Sequence, residues 1–168
     1  EGWPIMISQT TEYALRAVVY LAQHPDESWT TKQIAAATRV PAGYLSKVLQ
    51  GLSRAGLITS QRGRHGGFQL TGDPEEVSVL EVVNAVEPIR RITRCPLNLA
   101  SHGVELCPLL RTLDDTIAMV EAKFSQTRLS QLLGRSDTVE PLCDFPGGLQ
   151  FSGRRTKMSI SAKQQEAE

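Results

Sequence analysis

Between Ser28 and Gly72 the chain contains no aspartate and no glutamate. The same window carries Lys32, Arg39, Lys47, Arg54, Arg62 and Arg64, although the formal net charge of the whole chain is zero. A cationic stretch without a single carboxylate points to a polyanion, and the argument rests on local segregation rather than on overall balance. Other shortages narrow the field. No apolar run approaches the ~20 residues that a membrane-spanning helix needs, so no membrane is expected as a partner. The N-terminus lacks an apolar stretch behind a basic start, so no secretory leader is expected. Three cysteines, an odd number, do not make a disulfide scaffold, and a reducing cytoplasm is the expected location. There is no glycine-rich phosphate loop on a strand–helix turn, no nucleophile elbow and no carboxylate pair in a plausible cleft, so an enzyme is not expected.

At 168 residues the chain is long enough for a real core in one or two small domains. Residues 1–5 precede Met6 and read as an N-terminal extension or scar. Ser8 to Gln23 reads as a helix, with Leu15, Val18, Val19 and Ala22 on one apolar stripe and Glu12 and Arg16 spaced to pair on another face. After the break His24-Pro25-Asp26-Glu27, the pattern Thr30-x-x-Gln33 predicts a capping box and a short helix through Ala37, anchored by Ile34. Thr38-Arg39-Val40 is a tight connection, and Pro41 suits the first turn of the next helix.

That helix is expected to run to about Ala55. Leu45, Val48, Leu49 and Leu52 make its buried face, while Gly43, Lys47, Gln50 and Arg54 make a polar, cationic stripe with Tyr44 beside it. Gly56 sits where a left-handed residue closes a helix. Two short strands follow, Leu57 to Gln61 and Phe68 to Thr71, joined by a loop that is half glycine and carries Arg62 and Arg64. Short helix, turn, second helix and basic hairpin make a winged helix, whose second helix enters the major groove while arginines on the wing reach the minor groove and backbone. The expected fold is therefore mainly α, a winged helix-turn-helix over residues 6–87 with a small β-hairpin wing. Its last helix opens on the capping box Ser78-x-x-Glu81, presents Val79, Val82, Val83 and Val86 on one face and ends at Pro88.

Residues 88–133 form a second region. Residues 88–104 read as an irregular loop that holds Cys95 and His102. A longer helix then places Leu106, Leu110, Leu113, Ile117, Val120 and Phe124 at alternating spacings of four and three. Two readings of this seam are open: it packs on its own domain, or it pairs with a second copy and sets two recognition helices about one DNA turn apart. Arg128 to Leu133 adds a short apolar end, and residues 134–168 lack periodicity and read as a disordered tail.

Taken together, residues 6 to about 133 resemble the Rrf2 family of bacterial winged-helix transcription regulators. The resemblance is carried by Thr11-Glu12-Tyr13-Ala14-Leu15-Arg16, by Tyr44-Leu45, and by Leu52-x-x-x-Gly56-Leu57 running into Arg62-Gly63-x-x-Gly66-Gly67-Phe68-x-Leu70. A cysteine-bearing loop before a dimerisation helix completes it. The resemblance implies a homodimer on palindromic double-stranded DNA operators. Some members carry a 2Fe–2S or 4Fe–4S cluster on three cysteines of this loop, spaced close to six residues apart, with a further ligand in some from an acidic residue of the first helix. Here Cys95 and Cys107 match the outer two, Ser101 stands in the middle with His102 beside it, and Glu12 matches the acidic position. The implied iron–sulfur site is thus Cys95, Cys107, His102 and Glu12, an incomplete cysteine set. Ordinary half-buried thiols and a thiol redox switch stand beside it as alternatives.

The function expected from these residues is that of a sequence-specific DNA-binding regulator, a repressor acting as a homodimer. Tyr44, Lys47, Gln50 and Arg54 would meet base edges or phosphates, Arg62 and Arg64 the minor groove and backbone. Leu110, Leu113, Ile117, Val120 and Phe124 would pair the two copies. Redox or iron–sulfur status would be sensed through Cys95 and Cys107. A winged helix that binds protein rather than DNA is the alternative, and it would place apolar residues where the Gly43/Lys47/Gln50/Arg54 stripe lies.

Overall fold

Helix boundaries in this chain are set largely by capping side chains, and the computed structural model shows them for residues 7–63, 66–95 and 105–133. The expectations for residues 1–5, Arg64, His102 and the tail 134–168 lie outside the described residues. The elements run α1 (Gln9–Ala22), α2 (Thr31–Thr38), α3 (Ala42–Arg54), β1 (Ile58–Gln61), β2 (Gly67–Leu70), α4 (Val79–Val86), α5 (Pro108–Gln126) and α6 (Leu129–Leu132). Ser8 caps α1 by accepting from the Thr11 N–H at 3.2 Å. Thr30 and Gln33 form the expected capping box of α2, with the Thr30 N–H donating to Gln33 Oε1 at 2.9 Å. Ser78 and Glu81 repeat the device on α4, where the Ser78 N–H donates at 2.7 Å. These Ser78 donors, backbone first and hydroxyl second, hold the Glu81 carboxyl below its ordinary pKa.

Helix α1 is the hub. Val18, Val19 and Ala22 of its expected stripe are buried and Leu15 is half-buried, but Thr11, Ala14, Ala17 and Leu21 are buried as well. The buried side is wider than one stripe because α2, α3, α4, β2 and α6 all pack against it. Small residues at Ala14 and Ala17 allow that crowding. Ile34 of α2 and Leu45, Val48, Leu49 and Leu52 of α3 close the core as the sequence pattern predicts. Each such side chain stabilises the fold by about 1.5–3 kcal/mol through loss of hydrated apolar surface.

Arg39, at φ 55°, turns the chain between α2 and α3. Pro41 stands one position ahead of the first helical turn, and its carbonyl accepts from the Tyr44 and Leu45 N–H groups at 3.0 Å. At the far end of α3, Gly56 has φ 77° and donates to the Ser53 carbonyl, while the Leu57 N–H donates to Leu52 at 3.1 Å. This Schellman closure occupies Leu57, so β1 begins at Ile58, one residue later than alternation suggested. Strand β2 correspondingly starts at Gly67, paired with Gln61, and Ile58 pairs with Leu70.

A backbone bridge onto the hairpin was not expected. Trp29 exchanges two backbone hydrogen bonds with Phe68, at 2.9 and 2.8 Å, and so joins the hairpin to the segment before α2. The Trp29 ring packs with Tyr20 and His24, with centroids 4.7 to 5.2 Å apart.

Helix α5 starts at Pro108 with Cys107 as its cap residue, so Leu106 lies outside the helix and the helical seam begins at Leu110. Proline at the first position sets this start, because its missing N–H needs no partner there. None of its residues is fully buried. The chain then returns to the winged helix: the Val79 N–H donates to Thr127 at 2.8 Å and the Leu129 N–H to Val77 at 2.9 Å. Leu129, expected only as part of an apolar end, is fully buried in the main core.

Candidate nucleic-acid interface

The outer face of α3 is polar and accessible. Gly43, Lys47, Gln50 and Arg54 are exposed, and Tyr44 is 63% exposed. Amphipathic spacing accounts for this, since the four leucine and valine positions occupy the opposite side of the helix. Lys47, Arg54 and Arg62 make no ion pair among the described residues, whereas Arg16, Arg91 and Arg111 outside the window each face a carboxylate. An acid-free surface leaves such cations without internal partners, free to meet phosphates.

Sequence reasoning missed what stands beside this stripe. A cleft of about 310 Å3 opens between α3 and the first turns of α1, lined by Tyr44, Lys47 and Arg54 together with Gln9, Thr10 and Tyr13. Gly51, which also lines this cleft, lets α3 approach α4: a β-carbon there would stand 3.1 Å from the Ala85 carbonyl and 3.2 Å from Val86 Cγ1. A glycine inside a helix costs roughly 1 kcal/mol relative to alanine, so its presence in mid-α3 marks this contact.

The wing carries Arg62 exposed at its tip, followed by Gly63 at φ 121°, a backbone conformation that other residues avoid. Gly66 and Gly67 have no room for a side chain. Added β-carbons would stand 2.4 Å from the Gln61 carbonyl and 2.7 Å from Trp29 backbone atoms, respectively. Arg64 lies outside the described residues.

The residues of the implied iron–sulfur site lie on separate segments: Cys107 at the start of α5, Cys95 before it in the chain and Glu12 in α1. Cys95 and Cys107 are both half-buried free thiols. Glu12 is already engaged, since it pairs with Arg16, whose guanidinium also donates to the Thr38 carbonyl at 3.3 Å. His102 lies outside the described residues. Among the described residues no three His, Cys, Asp or Glu side chains converge as a metal site would require. The described donors therefore do not by themselves fit an iron–sulfur cluster, which needs four protein ligands.

The seam residues divide. Ile117, Val120 and Phe124 are half-buried and, with Val83, Pro88 and Ile7, line an apolar groove of about 760 Å3 between α5, α4 and the start of α1. Leu110 is half-buried and Leu113 is 47% exposed. Leu109 and Met119 are 68% and 66% exposed. No helix among the described residues is long and apolar enough to cross a membrane.

Comparison with known proteins agrees with this architecture. The chain is 36% identical over 140 residues to the HTH-type transcriptional regulator NsrR of Bacillus subtilis, covering 81% of this chain and 95% of that one. It is 30% identical over 145 residues to NsrR of Shouchella clausii, covering 84% and 97%. The oxidized form of Staphylococcus aureus CymR superposes with a TM-score of 0.62 at 26% identity, over 80% of this chain and all of that one. The two NsrR relatives are HTH-type transcriptional regulators rather than enzymes, as the sequence led us to expect. Residues 7–135 match the family model described as an iron-dependent transcriptional regulator, and the chain belongs to the Rrf2 family of transcriptional regulators.

Proposed function

We propose that this chain is a homodimeric repressor that reads a palindromic operator through α3 and the wing, and whose grip on DNA responds to redox or iron status at Cys95 and Cys107. The observation that carries the DNA reading is the exposed α3 stripe, with Lys47 and Arg54 unpaired beside a wing that presents Arg62. Tyr44, Lys47, Gln50 and Arg54 meet base edges and phosphates in the major groove, and Arg62 and Arg64 reach the minor groove and backbone. The exposed Leu113 and the apolar groove beside Ile117, Val120 and Phe124 support pairing of two copies along α5. A dimer lying across two adjacent half-sites, one helical turn apart, sterically blocks other proteins from that DNA, which supports repression.

The sensing reading rests on two free thiols in the segment between α4 and α5, and on the iron-dependent description of the family. An iron–sulfur cluster held by Cys95 and Cys107 would draw its remaining ligands from elsewhere, with His102 and Glu12 the candidates in this chain. Anaerobic reconstitution followed by iron and sulfide analysis separates the cluster from a bare dithiol. For the DNA reading, fragments selected by the protein from genomic DNA are titrated with the parent and with Arg62→Ala/Arg64→Ala. An expected loss of at least tenfold in affinity supports the wing assignment, and an unchanged affinity removes it.

A further inference from the structure

Among the described residues, Asp114 of α5 accepts three side-chain or backbone hydrogen bonds outside any capping box. Its Oδ1 accepts from Arg91 Nε at 2.8 Å and from the Ile92 backbone N–H at 2.8 Å, and its Oδ2 accepts from Arg91 Nη2 at 2.6 Å. Arg91 Nη1 also stands 3.9 Å from Glu121, two helical turns beyond Asp114. A forked guanidinium–carboxylate pair with an added backbone donor fixes both distance and orientation, which a single surface ion pair does not. The Asp114 side chain is only 15% exposed although the Arg91 side chain is 42% exposed, so it is the carboxylate end of this clamp that is enclosed.

The clamp's place in the chain gives it a consequence. Ile92 stands three residues before Cys95, a stretch that spans at most about 11 Å when fully extended. Cys107 caps the N-terminus of α5, seven residues before Asp114, or about 10 Å along the helix. One carboxylate therefore ties the backbone leading to one thiol to the helix capped by the other. That helix carries Ile117, Val120 and Phe124 on its groove side.

We propose that Asp114 is the positioning residue of the Cys95/Cys107 pair, holding residues 91–92 against α5 so that a change at either thiol is passed to the helix and from there to the DNA-reading surface. The inference rests on the thiol-sensing reading above and adds to it the residue that couples sensor to helix. Neither Arg91 nor Asp114 lies on the α3 or wing surface, so the pair can be removed without touching the DNA contacts.

The test uses the full chain with Cys143→Ser, so that iodoacetamide reacts only at Cys95 and Cys107, and follows operator affinity by fluorescence anisotropy before and after alkylation. Mass spectrometry confirms equal modification in every variant. The parent is expected to lose at least tenfold in affinity on alkylation. Asp114→Ala and Arg91→Ala are expected to bind within threefold of the parent before alkylation and to change by less than threefold after it. Variants that lose affinity on alkylation as steeply as the parent overturn the coupling role and leave the sensing reading intact. A parent that does not respond to alkylation overturns the sensing reading and the inference with it. Where Asp114→Ala does not fold, Arg91→Lys, which keeps the charge and removes the fork, gives the same comparison.

Discussion

A β-carbon on Gly67 would stand 2.7 Å from the backbone nitrogen and carbon of Trp29, inside any tolerable approach. Gly67→Ala is therefore expected to break the Trp29–Phe68 bridge and lower stability by about 1–3 kcal/mol in urea unfolding. Gly43→Ala, at a site with no atom within 4 Å, is expected to leave stability unchanged or slightly raised. Equal losses at the two positions would show that space is not the deciding factor. The Asp114 carboxyl answers to charge instead. Hydrogen bonds from Arg91, then from the Ile92 N–H, lower its pKa from 3.8 to about 2. Because folding depresses this pKa, its contribution to stability is full above the ordinary value and declines as pH falls from about 4 towards 2. Two-dimensional NMR of the folded protein at decreasing pH is expected to show Arg91 and Ile92 signals shifting together towards pH 2. Signals that move only near pH 4 would mean the clamp does not hold in solution.

Elements were most legible where a local signal is complete. The paired side chains of Thr30/Gln33 and Ser78/Glu81 start α2 and α4 where the sequence placed them, and Gly56 stops α3. The four apolar positions of α3 fixed its buried side, and by elimination its cationic one. Interactions between distant segments were not legible. Trp29 pairing with Phe68 depends on register set by the hairpin, and Leu129 is drawn into the core by backbone hydrogen bonds between residues 127–129 and 77–79 that no sequence spacing encodes. Leu129→Ala is expected to cost about 2–5 kcal/mol, as deletion of a fully buried leucine does, which a thermal melt checks. A cost below 1 kcal/mol would place the α5–α6 return outside the cooperative core. For α5, Leu113 is the informative position because it is exposed within one copy. Leu113→Glu is expected to leave the melt intact and shift sedimentation from dimer to monomer. A variant that sediments like the parent would remove this face from the proposed pairing.

At the scale of the whole molecule, the charge segregation visible in the sequence becomes a spatial one. Lys47, Arg54 and Arg62 line α3 and the wing without carboxylate partners among the described residues, while Arg91 and Arg111 on the α5 side are paired. The α1 side of the cleft, with Gln9, Thr10 and Tyr13, extends that surface in a way that only the packing of α1 beside α3 reveals. The thiol loop and α5 lie on separate elements from the reading surface, which is what a regulator with distinct sensing and binding parts requires.

The salt dependence of DNA binding tests the central claim most directly. Each neutralised phosphate contributes a slope of about 0.9 in the logarithm of affinity against the logarithm of salt concentration. In a titration across salt on a selected operator, Lys47→Ala/Arg62→Ala is expected to weaken binding and to lower that slope by about 1 for each phosphate that is no longer neutralised, summed over both copies. Arg111→Ala, an equal change of charge per residue on α5, is expected to leave the slope unchanged. A double variant whose slope equals that of the parent, or an Arg111→Ala slope that falls as far, would contradict the assignment of α3 and the wing as the DNA-reading surface.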